Sequence, residues 1–467
     1  MAEEKQKKGF KIPHVFTLLM ILILICGILS YIVPAGVYDR VEDPSTGRMV
    51  VDPDSFHAVE QTPVSLMTLL GALSGGMARA ADIIFFIFVV GGSLGVLMKT
   101  GVLEGGIMAL ARVLKGKELV VIPIMVIIVS TMSIVIGTTE EMIPLVPLFV
   151  SLSLAVGFDS IVGLAMVTCS TAAGFACSIL NPFNVGVAQG IAQLPAYSGS
   201  GFRIVMAVVF IGVTIALIMR YAAKVKKDPT ISPMYEEDKL REIKEESEHV
   251  EFNTTRKLCL LVFVATIAIM IFGVIKYEWY FTEIGGLFLG MSIVVAIISR
   301  MGFDAYGKAL SDGMVDVCSG ALVVGVATGI LWILTEGNIL DAILHGAATV
   351  LTRLPSQVSA VGMYIFQCLM NYLIPSGSGQ AGVTMPILAP LADLTGVTRQ
   401  TAVIAFQLGD GISNAITPTS GALMACLGMA KIPWAKWAKW FLPIMLIQYG
   451  IGLIFVIIAQ TMQLGPF

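Results

Sequence analysis

The chain has 467 residues, is 56% hydrophobic and only 13% charged, and carries a formal net charge of −3. Soluble globular domains carry about 25% charged residues, so a soluble fold is excluded, and the balance leaves no basic surface for nucleic acid. Seven cysteines stand singly without CxxC spacing and four histidines are dispersed, so neither a disulfide framework, a metal cluster nor an organic cofactor is expected.

Taken in order, the sequence predicts an all-α polytopic membrane protein with about nine transmembrane helices and two re-entrant hairpins. A basic tail over 1–14 (Lys5, Lys7, Lys8, Lys11) precedes an apolar helix over 15–36. That run is too long for a signal peptide's core and ends in Pro34-Ala35-Gly36, so it reads as a retained first span. An acidic loop over 36–61 and an amphipathic arm over 62–78 lead to a span over 82–100, followed by Lys99, Arg112, Lys115 and Lys117. A hairpin over 119–156 and spans over 159–193 and 203–222 complete a first half, 15–222. A charged linker over 223–256 separates it from a second half, 257–467. There the spans are 257–276, 280–299, 315–334, 398–430 and 438–460, with an arm at 302–313 and a hairpin at 357–395. Each span meets the ~20 residues needed to cross a hydrocarbon layer. Lysines and arginines place the N-terminus, the linker and Lys431, Lys436 and Lys439 in the cytoplasm, with the uncharged C-terminal segment outside. A multi-pass protein of a bacterial inner membrane, surrounded by lipid, is the expectation.

The two halves resemble one another. Gly76-Met77 recurs as Gly313-Met314, Gly101 as Gly337, Gly157 as Gly396, Pro182 as Pro418 and Leu194-Pro195 as Ile432-Pro433, all at offsets of 236 to 239. The charge pattern puts matching segments on opposite faces, which describes an inverted repeat, a hallmark of secondary transporters.

Irregular backbone within apolar segments is tolerated only where it lines a wet cavity or is buried in protein, so four breaks mark candidate sites. The first hairpin turns at Gly137-Thr138-Thr139-Glu140-Glu141, whose adjacent carboxylates need hydration, protonation or a cation. The second turns at Ser376-Gly377-Ser378-Gly379-Gln380, where amides and hydroxyls at helix ends suit an ion or a carboxylate. Asn181, Pro182 and Asn184 break the span over 159–193; Asn181, Asn184 and Ser413 are the candidate sodium ligands. Asp410, Ser413, Asn414 and Thr417 interrupt the span over 398–430 and form the counterpart. Thr138, Thr139, Glu140, Glu141, Ser376, Gly377, Ser378, Gly379, Gln380, Asp410, Asn414 and Thr417 are the expected substrate contacts, with sodium or a proton as coupling ion.

The opening segment GFKIPHVFTLLMILILICGILSYIVPAGVYDR, together with the paired broken segments, resembles the YfcC-type transporters. These are grouped with the C4-dicarboxylate anaerobic carriers in the wider ion transporter superfamily. The resemblance implies a homodimer in which a transport domain moves against a scaffold as an elevator, with substrate and ions between hairpin tips and broken helices. The tips here read GTTEE and SGSGQ, departing from the Ser-Asn-Thr signature of the sodium-dicarboxylate branch.

None of the four breaks contains Lys or Arg, whereas two contain acids. That polarity favours a small solute with a cationic group, such as a basic amino acid of the arginine or ornithine kind, over a dicarboxylate. The resemblance implies arginine/ornithine exchange for some relatives. A sodium- or proton-coupled C4-dicarboxylate transporter is the alternative, since bound sodium reverses local charge. A channel would need a continuous polar path. An enzyme is not expected: Leu408-Gly409-Asp410-Gly411 lacks the partner acid of an aspartyl intramembrane protease. Gly91-Gly92-Ser93-Leu94-Gly95 fits GxSxG but lies within a span, where glycines serve close helix packing.

Overall fold

The computed structural model describes residues 15–43, 48–52, 54–102, 117–137, 139–246, 253–277, 279 and 281–465. The expected N-terminal tail over 1–14, Arg112, Lys115 and Thr138 lie outside the described residues.

Eight described helical segments are long and apolar enough to cross a membrane. Helix α1 (Val15–Ile32) leads into a loop with two short antiparallel ladders, β1 (Gly36–Val37) with β4 (His57–Ala58) and β2 (Arg40–Asp43) with β3 (Arg48–Val51). The all-α expectation is amended there. Arg40 and the Tyr38 amide both reach Asp341, at 2.9 and 3.0 Å, tying this loop to the second half.

Two further helices, α2 (Leu66–Arg79) and α3 (Ala81–Lys99), are separated by a turn at Ala80, whose amide donates to the Gly76 carbonyl. Helices α4 (Val121–Ile136) and α5 (Val146–Ala155) flank the first predicted hairpin turn, with a 3-10 segment, Glu140–Leu145, between them. The first predicted broken span is α6 (Ser160–Ala176), a π-helical turn over Pro182–Gly186, and α7 (Val187–Ile191). Then come α8 (Ser200–Lys227), the linker helix α9 (Tyr235–Glu246), α10 (Thr254–Tyr277) and α11 (Phe281–Ile298). The second half continues with α12 (Phe303–Glu336), α13 (Leu340–Leu351), α14 (Ser356–Asn371), α15 (Gly377–Thr395), α16 (Arg399–Ser413), α17 (Gly421–Ala430) and α18 (Trp434–Thr461).

One expectation fails outright. The arm at 302–313 and the span at 315–334 are a single helix of 34 residues, about 51 Å long at 1.5 Å per residue. Gly313 is not a breaker. A Cβ there would lie 2.6 Å from the Gly91 carbonyl oxygen, and one on Gly95 would lie 2.7 Å from the Gly313 Cα. These glycines let α3 and α12 cross backbone to backbone, as small residues do between membrane helices.

Contacts gather the helices into two groups. Helix α12 packs on α1, α2 and α3, and α11 packs on α3 and α10. The other group joins the halves: α6 packs on α4, α5, α8 and α16, while α16 packs on α14, α15 and α18. Helix α17 spans the boundary by packing on α12. Polar contacts also segregate by face. Asp238 meets Ser160, Arg241 meets the carbonyls of Ala430 and Lys431, and Lys226 meets Glu118 at the linker end. Arg399 meets the Ala192 carbonyl, and Asn338 meets Thr62, at the other end.

Candidate functional site

Four interruptions converge between the two groups. Helix α4 ends at Gly137, in the left-handed conformation (φ 81°) that an L side chain adopts only at a cost. A Cβ at Gly137 would sit 2.3 Å from Asn181 Oδ1, so the glycine also seats the first turn on the first break. The amides of Ile179 and Leu180, released from helical pairing, both donate to the Ile134 carbonyl at 3.2 Å. That carbonyl lies in the last turn of α4, where helix carbonyls look outside the helix for partners. The second turn docks on the second break in the same way: Thr419 Oγ1 donates to the Tyr372 carbonyl at 2.9 Å. Trp434 and Trp437 donate their indole N–H groups to Ile416 and Ala415, at 2.9 and 2.8 Å, satisfying carbonyls that the second break frees.

A cavity of about 170 Å³ opens between the two turns, lined by Thr139, Glu140 and Glu141 on one side and Ser376, Gly377 and Ser378 on the other. Phe175, Asn414, Ser420 and Gly421 extend the lining, and Ile83 of α3 contributes from the group built on α12. At about 30 Å³ per molecule it has room for on the order of six waters, or a small organic solute.

The cavity walls differ in polarity. On one side stand the C-terminal end of α4, Glu140, which is half-buried, and Glu141, 4% exposed, whose Oε2 accepts the Thr139 amide at 2.9 Å. On the other stand the N-termini of α15 and α17, capped by Ser376 and Ser420. A helix N-terminus favours an anion and a C-terminus a cation. The cavity is therefore bipolar, negative at the first turn and positive at the second.

Beneath it lies Asp410, wholly buried. Its carboxylate accepts Asn184 Nδ2 at 2.8 Å and the amide groups of Asn371 and Asn414 at 3.0 Å each. The Oδ1 atoms of Asn371 and Asn414 are buried and have no hydrogen-bond partner among the described residues. A carboxylate and buried amide oxygens are ligand types that hard cations take.

Of the residues expected from sequence, Thr139, Glu140, Glu141, Ser376, Gly377, Ser378 and Asn414 line the cavity. Asp410 and Asn184 meet beneath it. Gln380 instead turns into its own hairpin, donating to the Gln367 carbonyl at 2.9 Å, and Gly379 gives its amide to the Ser376 cap at 3.3 Å. Thr417 pairs with Thr419 at 2.9 Å. Ser413, expected beside Asn181 and Asn184, faces α18: its hydroxyl bonds back to the Gly409 carbonyl and to Tyr449, so the expected sodium trio is not assembled. Sequence reasoning missed Phe175 and Asn371. An asparagine at the end of a largely apolar hairpin arm was the available signal for the second; an aromatic wall residue gives none.

Comparison with known proteins bears on the chemistry. The family model described as DcuC, C4-dicarboxylate anaerobic carrier, matches residues 12–461. The Escherichia coli (strain K12) protein named "Putative basic amino acid antiporter YfcC" is 34% identical over 500 residues, covering 99% of each chain. An "Uncharacterized protein" of Haemophilus influenzae is 29% identical over 511 residues, again covering 99% of each. Among solved structures, the Alcanivorax borkumensis YdaH transporter aligns at 18% identity with a TM-score of 0.43, covering 97% of this chain and 100% of its own. Neisseria gonorrhoeae MtrF, from a class of antimetabolite efflux pumps, aligns at 20% identity with a TM-score of 0.44, covering 97% and 96%. The resemblance read from the opening segment holds over the full chain.

Proposed function

The chain belongs to the C4-dicarboxylate anaerobic carrier family, a multi-pass membrane transport family, and from that footing we propose that it exchanges basic amino acids across the membrane. The bipolar cavity carries this reading. An arginine- or ornithine-like solute would place its side-chain cation against Glu140 and the end of α4. Its α-carboxylate would lie at the N-termini of α15 and α17, where backbone amides replace the water lost on entry. The Escherichia coli relative's name points to the same substrate class.

Transport would proceed by alternating access. The group containing the two turns and both broken helices would move against the group built on α3 and α12, with the turns acting as re-entrant hairpins and the N-terminus cytoplasmic. The family's dimer and elevator motion are carried here as expectations of membership. Asp410 with the free oxygens of Asn371 and Asn414 would take the coupling ion, sodium or a proton. The second reading, a sodium- or proton-coupled C4-dicarboxylate transporter, draws on the family's name and on the same helix N-termini. It requires bound cations to reverse the charge of Glu140 and Glu141.

Proteoliposomes loaded with ornithine and presented with labelled arginine decide between them. Accelerated arginine entry that saturates and depends on internal ornithine supports exchange. Entry of succinate or fumarate alone, driven by sodium or a proton gradient, would reverse the assignment.

A further inference from the structure

Arg203 and Asp410 are the only charged side chains among the described residues with no solvent exposure at all. Neither has an opposite charge within salt-bridge distance among the described residues. Arg203 sits in the first turn of α8, its Nε donating to Gln407 Oε1 at 2.6 Å, its Nη1 to the Ser198 carbonyl and its Nη2 to no partner among the described residues. An isolated buried guanidinium is costly, because burial removes the water that solvates it. A structural cap on the 193–199 turn would need only hydrogen-bonding N–H groups, not a permanent charge.

Hydrogen bonds connect the two ions. From Arg203 the path runs to Gln407, whose Nε2 donates to Ser178 Oγ at 3.1 Å. Ser178 Oγ shares its one proton between the Phe175 carbonyl at 2.9 Å and Asn184 Oδ1 at 3.3 Å, and Asn184 Nδ2 donates to Asp410 at 2.8 Å. Every side chain on this path is wholly buried. Gln407 and Asp410 lie three positions apart on α16, hence on one face and about 4.5 Å apart along its axis. The path leaves α8 for α16 at Gln407, passes through the break in the first half at Ser178 and Asn184, and returns to α16 at Asp410. Each neutral member has its orientation fixed by the next.

We propose that Arg203 is the internal counter-charge of Asp410 and a positioning residue for it, acting through Gln407, Ser178 and Asn184. The pair keeps the core beneath the cavity electrically balanced while Asp410 stays ionised. It also holds the Asn184 amide on the carboxylate. Glu140 and Glu141 differ from Asp410 in that they line the cavity, where solvent or solute balances them. The inference deepens the proposed site but needs no substrate, so it can fail while the transport reading stands.

The test is a double-mutant cycle on the full-length detergent-purified protein without ligand: wild type, R203Q, D410N and R203Q/D410N, each followed by melting temperature. Each single substitution strands one buried charge and should lower the melting temperature by several degrees. The double variant strands none and should melt above both single variants, a non-additivity that independent structural roles do not produce. If the losses instead add, or if R203Q melts like the wild type, Arg203 is not the counter-charge of Asp410. Should R203Q alone give no folded protein, recovery of folded protein in R203Q/D410N supports the pairing. Continued loss of folded protein in that double variant refutes it.

Discussion

Replacing Glu140 by glutamine separates the charge of the first turn from its shape. The side chain is half-buried and lines the cavity, so a cationic group seated there would lie about 4 Å from the carboxylate. At an effective dielectric near 20 that attraction is worth about 4 kcal/mol. Partial solvation and the hydrogen bond that glutamine retains reduce the loss to about 2–3 kcal/mol, roughly 100-fold in Kd. Thermal stabilisation of the purified protein reads this directly. Arginine at 100 times the wild-type Kd stabilises by about 2.7 kcal/mol, whereas a variant binding 100-fold more weakly gains only about 0.4 kcal/mol. E140Q should therefore melt close to the wild-type temperature when free of ligand and lose nearly all of the arginine-induced shift. E141Q should behave differently, because Glu141 fixes the turn through the Thr139 amide and its loss lowers the ligand-free melting temperature as well. An arginine shift unchanged in E140Q would refute the acidic wall as the cation site. A shift seen only with succinate, and only in sodium, would show that bound ions set the polarity.

Three other substitutions probe the frame of the site. G137A imposes a left-handed backbone on a residue with a Cβ, at about 1–2 kcal/mol, and pushes that Cβ against Asn181; transport should fall well before folded yield does, as measured by exchange in proteoliposomes and by size-exclusion recovery. N184L removes a hydrogen bond to a buried carboxylate, worth about 1.5–3 kcal/mol, and should lower the melting temperature with D410N in the background showing a smaller further loss. G411A places a Cβ 2.4 Å from the Ala176 amide nitrogen, where α6 and α16 cross backbone to backbone; overpacking of about 1–3 kcal/mol should appear as reduced melting temperature, and an unchanged value would mean that the two helices separate freely there.

Much of the fold was legible because lipid imposes strict rules. Runs of ~20 apolar residues and the placement of lysine and arginine mark spans and faces, and the positions of α1, α3, α8, α10, α11 and α18 follow the expected spans closely. Proline and asparagine within long apolar runs located both breaks. Glycine was harder to read, since one residue serves two purposes. Gly137 supplies a positive φ, whereas Gly313 supplies only absence of bulk against α3, and the sequence around each looks like a plausible boundary. The π-helical turn and the β ladders of the acidic loop left no periodic pattern long enough to detect. Arg203 was passed over because an arginine close to a helix end ordinarily reaches water; its burial depends on Gln407 and Ser198, brought to it from elsewhere in the chain.

The polarity of the cavity follows from divergence between the two halves. Under the inverted repeat expected from the sequence, the two turns would present equivalent groups to a solute if their sequences matched. In the second half, Ser376 caps a helix that begins at Gly377, so a helix N-terminus stands at the cavity wall at once. In the first half the equivalent helix is delayed: Glu140–Leu145 forms a 3-10 segment containing Pro144, and α5 starts only at Val146. Two carboxylates occupy the position where the second half offers amides. The two turns thus give the cavity a negative and a positive wall through a difference of a few residues. A solute carrying both charges matches that asymmetry without any ion, whereas a dicarboxylate matches one wall and is repelled by the other. The substitution that tests this most economically is also the one on which the substrate assignment turns, the removal of a single charge at Glu140.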